Sequence, residues 1–207
     1  MPAPTHPSAD LGEDKDGRAI RRDRNVQLAV NAARELFEAT MRVPTIEEVS
    51  IRSGLSVRSM YRYFADIQEL SDEVVRLVQD EARAISTLPD PAGISLADRV
   101  EAIARLRVSL YEVVKGTFLA NAARVIVSGE PQPAGAAIRA QMLRQFSNQF
   151  AQELLPLDET ERRCAIESGQ ALCTMEFVDI LMRWRSMTAD EAVETIKYGL
   201  TKILTAV

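Results

Sequence analysis

Residues 45–70 read TIEEVSIRSGLSVRSMYRYFADIQEL, and their spacing predicts two short helices around a tight turn. Thr45 and Glu48 form a T-x-x-E capping box, which satisfies orphan amides at a helix start. Ile46 and Val49 give that helix an apolar side, and Ser50 is small enough for a close helix crossing. Gly54 stands where the helix must stop, because glycine enters the left-handed conformation cheaply. Ser56 is a good N-cap for the next helix, which Leu55, Met60 and Phe64 can bury. Val57, Arg58, Ser59 and Arg62 are then left pointing outward. Helix, glycine-containing turn, helix is the geometry that sets a second helix into the DNA major groove.

On the N-terminal side, Val26, Ala29, Val30, Ala33, Leu36 and Phe37 recur at helical spacing and predict a helix over 24–40. Val43–Pro44 breaks the chain before the capping box. Residues 1–17 are rich in proline, alanine and acid and read as a disordered tail. Arg18, Arg21, Arg22 and Arg24 follow as the lead-in to the first helix. They serve either as a solvated approach or as an arm to phosphate or minor groove.

On the C-terminal side, apolar periodicity continues over 67–86 until a Pro-Gly-rich loop at 88–93. Ser95 and Asp98 cap a segment to about 128, which Gly116–Thr117 is expected to divide. A helix over 136–155 carries Met142, Phe146 and Phe150 beside Gln145 and Gln149. Asp158 with Glu161, and Thr188 with Glu191, begin a final helical pair. The fold class is therefore all-α, with about nine helices on this periodicity.

The segment GLSVRSMYRYF at 54–64 resembles the recognition-helix signature of TetR-type (tetracycline-repressor-like) transcriptional regulators, roughly G-[VL]-S-x-x-[TSA]-[LM]-Y-x-[HY]-F. AARELF at 32–37 resembles that family's first helix, at a typical distance from Gly54. Three positions depart from the pattern. The usual glycine is replaced within Thr40–Met41–Arg42, the usual alanine is Ser50, and a lysine that often contacts phosphate is Ile67.

The resemblance implies a helix-turn-helix DNA-binding domain over 18–66 and an effector-binding and dimerisation domain over 67–207. It implies DNA contacts from Thr45, Val57, Arg58, Ser59, Tyr61, Arg62 and Tyr63, with the two tyrosines on phosphate. Arg58 is the expected bidentate partner of a guanine. Leu110, Phe118, Met142, Phe146, Phe150 and Phe177 are the expected lining of a pocket for an unidentified small apolar effector. Ala165, Gly169, Leu172, Phe177, Ile180, Trp184, Ile196, Gly199, Leu200 and Ile203 are the expected homodimer interface, as paired terminal helices are in that family. Intrachain packing is the simpler role for the same residues.

Composition is consistent with this division. Of 207 residues, 46% are hydrophobic and 27% charged, which is ordinary for a globular chain. The net charge of −5 is unevenly spread, since Arg18 to Tyr63 holds nine arginines against five acidic residues. Such asymmetry points to one half suited to phosphate. No apolar run approaches the ~18–20 residues of a membrane span and the N-terminus lacks a leader-like apolar region, so a cytoplasmic location is expected. The single histidine is His6, and no phosphate-binding or dinucleotide-binding glycine motif occurs. An enzymatic role, a cofactor and a metal are accordingly not expected. Cys164 and Cys173 would lie ~13 Å apart along one predicted helix, too far for an intrachain bridge. Two buried thiols are the expectation, with an oxidant sensor linking subunits as the alternative. The alternative function is a helical ligand- or protein-binding module without DNA affinity.

Overall fold

The computed structural model of the chain describes residues 13–128 and 133–205. Among them the fold is all-α, with no strand. Two compact units divide at Arg76/Leu77, inside the fourth helix and not at 66/67.

The first unit is built on α1 (Glu13–Thr40), α2 (Ile46–Ser53) and α3 (Val57–Tyr63), which pack mutually. Ala29, Ala33, Phe37, Val49, Met60 and Phe64 are its buried centre. The local signals act as read. Thr45 Oγ1 accepts the Glu48 amide while the Glu48 carboxylate accepts the Thr45 amide. Gly54 ends α2 at φ 72°, and Ser56 caps α3 by accepting the Ser59 amide at 3.1 Å. Within Thr40–Met41–Arg42, where the resembled pattern has a glycine, Met41 takes φ 54°. Such a conformation crowds Cβ against the following carbonyl.

Two expectations about this region change. The predicted tail at 1–17 lies partly outside the described residues, but Glu13 onward is helical. Arg18, Arg21, Arg22 and Arg24 are therefore residues of α1 and not a lead-in to it. The run EDKDGRAIRRDR is dominated by good helix formers, and its one glycine costs only ~1 kcal/mol.

The second unit begins within α4 (Ile67–Ile85) and contains α5 (Leu96–Ser128), α6 (Pro133–Gln149), α7 (Ala151–Leu154), α8 (Glu159–Leu172), α9 (Met175–Asp179) and α10 (Ala189–Thr205). Its axis is α5, against which α9 and α10 pack, while α8 packs on α6 and α10. Val100, Ile103, Phe146, Phe150, Val178, Ile196 and Leu200 form the densest part of the core. The Ser95–Asp98, Asp158–Glu161 and Thr188–Glu191 pairs all close as caps.

Here too the sequence reading needs correction. α5 runs unbroken through Gly116–Thr117, because side chains buried along its length outweigh the modest cost of one helical glycine. The helix expected over 136–155 breaks at Phe150. The single helix expected to carry both cysteines breaks at Cys173. Thr174 caps a new start there by accepting the Phe177 amide at 3.2 Å, and a π-turn follows at Ile180–Trp184. Cys164 is exposed and Cys173 buried, so only one of the two thiols is sequestered. No helix among the described residues is long and apolar enough to cross a membrane.

Candidate nucleic-acid interface

α3 is short, so its side chains divide sharply between core and surface. Met60 is fully buried, and Tyr63 and the capping Phe64 are nearly so. Arg58, Tyr61 and Arg62 are exposed, and with Ser59 they line a shallow open depression on the surface of the unit. Among the described residues no salt bridge engages Arg58, so its guanidinium fork is available for bidentate bonding. Val57 and Ser59, expected to point outward, are only half-exposed. The Ser59 hydroxyl lies 2.9 Å from that of Ser56, within the cap that starts the helix.

Tyr63 is the largest departure from a simple surface contact. Its ring is core, at 9% exposure, and only its hydroxyl reaches the edge. That oxygen accepts from Asn25 Nδ2 of α1 at 2.9 Å and from Arg62 Nη2 at 2.5 Å. The Arg62 guanidinium also lies 4.8 Å from the Tyr63 ring centre. The Asn25 hydrogen bond, then Arg62 and Arg22, lower the pKa of the phenol below its ordinary value. With its lone pairs engaged, the hydroxyl keeps a sharpened O–H to donate, which suits an anionic acceptor such as phosphate.

At the start of α2, Thr45 is exposed and Arg42 donates to both carboxylate oxygens of Glu48, at 2.9 and 2.5 Å. These bonds and the Thr45 amide hold the Glu48 carboxyl down at about 2. Glu48 is thus neutralised locally, and the helix start keeps its affinity for anions. Arg52 pairs with Glu35 of α1. Ile67, where a phosphate-binding lysine was the family expectation, is half-buried at the start of α4. Asn25 and Arg42 were not among the expected site residues, and Arg22 was expected only as a solvated approach or an arm to phosphate. Asn25 meets Tyr63 across 38 residues, and no local pattern announces such a contact.

In the second unit the expected pocket residues are packed side chains. Phe146 and Phe150 are fully buried in an edge-to-face pair with centroids 4.9 Å apart. Phe118 and Phe177 pack against the same core, and Leu110 and Met142 are buried. The expected dimer residues fall into three groups. Ala165, Gly169, Ile196 and Leu200 are buried within the protomer, so they cannot form the contact surface itself. A Cβ on Gly169 would meet the Phe146 ring, and one on Gly199 would meet Leu172. The two glycines therefore admit intrachain neighbours. Ile180, Trp184 and Tyr198, the last not foreseen, are exposed at 49, 70 and 69%, while Leu172, Phe177, Gly199 and Ile203 are half-buried. The chain matches no family model, no curated protein and no solved structure.

Proposed function

We propose that the chain is a TetR-type transcriptional regulator, acting as a repressor. It binds a palindromic DNA operator as a homodimer and releases it when a small effector enters the body. The observation that carries this reading is the outward edge of α3. Arg58, Tyr61 and Arg62 stand exposed on a helix whose other side, Met60 and Tyr63, is anchored in the core. Arg58 reads a base edge, bidentate to guanine. Tyr61, Arg62, the Tyr63 hydroxyl and the Thr45 end of α2 hold phosphates and set the register. Ser59, half-exposed in the same depression, and the half-exposed Val57 shape the approach to the groove. The exposed Ile180, Trp184 and Tyr198 supply the apolar centre of the dimer contact. No reaction and no cofactor is assigned to the chain.

Selection of bound duplexes from a random pool tests this reading. The expected result is enrichment of a two-fold symmetric site, bound with an affinity that falls steeply with salt. Failure to enrich any sequence, with no salt-sensitive retention of DNA, would overturn it in favour of a helical ligand- or protein-binding module.

A further inference from the structure

Two arginines of α5 are buried, and they are treated differently. Arg99, at 2% exposure, pairs with Glu153 of α7 and also donates to the Gln149 carbonyl. Arg107, two turns further along, is fully buried and meets no carboxylate among the described residues. Its Nη1 donates to Gln145 Oε1 at 2.9 Å, and its Nη2 reaches the Met142 carbonyl only at 3.3 Å. Among the described residues its Nε has no hydrogen-bond partner. The guanidinium thus bonds only neutral groups among the described residues, Gln145, the Met142 carbonyl and the Cys173 thiol, and its side-on edge, Nε with Nη2, holds no carboxylate, although this is the edge that grips a carboxylate with two parallel hydrogen bonds. One turn along α6, the buried Gln149 Oε1 is likewise without a partner among the described residues.

The neighbours cannot neutralise the charge. Among the described residues Cys173 is the one titratable group acting on Arg107, and burial pushes its thiol up to about 11. It is thus a neutral SH at physiological pH. Burial lowers the Arg107 pKa, yet a guanidinium keeps its proton. A buried cation without a counter-charge is costly, and proteins ordinarily pair it. The amides of Gln145 and Gln149 are pinned to the Ser86 and Pro89 carbonyls, at 2.8 and 2.7 Å, so neither is free to turn. Beside them lie Met142 and the Phe146–Phe150 pair.

We infer that the effector is an organic anion, an apolar molecule with a carboxylate that takes the Nε–Nη2 edge of Arg107. This rests on reading the body as an effector-binding domain. Gln149 Oε1 accepts a hydroxyl or N–H from the same molecule, and its apolar part enters by parting Met142 and the Phe146–Phe150 pair, which close on each other without it. The ligand is thus defined by its charge as well as by its hydrophobicity.

The test is calorimetric titration of the full chain, without DNA, with octanoate, benzoate and phenylacetate, each against its neutral amide. The expected result is that at least one acid binds tenfold or more tightly than its amide, and that Arg107→Gln removes the preference. Equal binding of acid and amide by the unaltered protein would overturn the inference, and that comparison needs no variant to fold. So would a preference that survives in Arg107→Gln, or no binding of any acid up to millimolar concentration. Operator binding measured separately distinguishes the two claims. A chain that binds acids but no DNA supports the anion site and sinks the regulator, while one that binds DNA but no acid does the reverse.

Discussion

Adding one methyl group at Gly169 separates two accounts of why that glycine is there. An ideal Cβ would lie 2.2 Å from Phe146 Cζ and 2.8 Å from Cε2, against the ~3.5–4.0 Å of a comfortable carbon contact. The ring must withdraw by more than ~1 Å. It is fully buried against Phe150, with no solvent side to move into. Overpacking of this kind costs typically ~1–3 kcal/mol, and two sub-contact distances put Gly169→Ala near the top of that range. Replacing a helical glycine by alanine returns ~1 kcal/mol. The net destabilisation is then ~2 kcal/mol, and for a chain of this length the midpoint falls by ~4–8 °C. Thermal unfolding followed by far-UV circular dichroism reads it. Phe146→Leu, which removes the ring atoms that clash, should suppress much of the loss in the double variant. A midpoint that stays level or rises would refute the packing argument, because an open helical glycine gains from becoming alanine.

Four further outcomes are expected. Arg58→Ala relaxes selectivity at one symmetric base pair by ~1–3 kcal/mol, whereas Tyr63→Phe weakens all sequences alike, as competition binding with single-base operator variants can measure. Met41→Gly relieves the left-handed strain at φ 54° and, after the entropy that glycine costs the unfolded chain, raises stability by ~0.5–1 kcal/mol in urea unfolding. Trp184→Asp leaves the fold intact but shifts the protein to monomer in sedimentation analysis, since Trp184 is 70% exposed in the single chain. The Glu48 carboxyl is held at about 2, below its ordinary 4.5, so its contribution is complete above 4.5 and lost as pH falls from 4.5 towards 2. Glu48→Gln should flatten the acid limb of the stability curve over that window.

The candidate interface was legible to the degree that its determinants are local. The starts of α2 and α3 are settled within five residues by hydrogen bonds between a side chain and its own helix end, and the stop of α2 by the left-handed backbone of Gly54. The outward-facing Arg58 follows from the same register. Tyr63 was only half legible. Its place in the pattern could be read, but its burial and the Asn25 bond depend on how α1 crosses α3. Arg107 was not legible at all, since nothing in its neighbours along the chain distinguishes it from a surface arginine on an amphipathic helix. The break at Cys173 was missed for a related reason. Apolar spacing continues across it, while the Thr174 cap and the Tyr111–Asp179 bond at 2.6 Å redirect the chain.

By itself the sequence determined an all-helical chain, the positions of most helix starts, and a net-basic stretch over 18–63 carrying an exposed arginine edge. These follow from interactions spanning four residues or fewer, whose partners are always in reach. Only the tertiary structure decided that Gly169 and Gly199 admit intrachain side chains, which apolar residues of the last helices remain exposed, and that one cation of α5 is sealed in without an anion. Those outcomes depend on which helical faces meet, and packing between distant segments makes that choice.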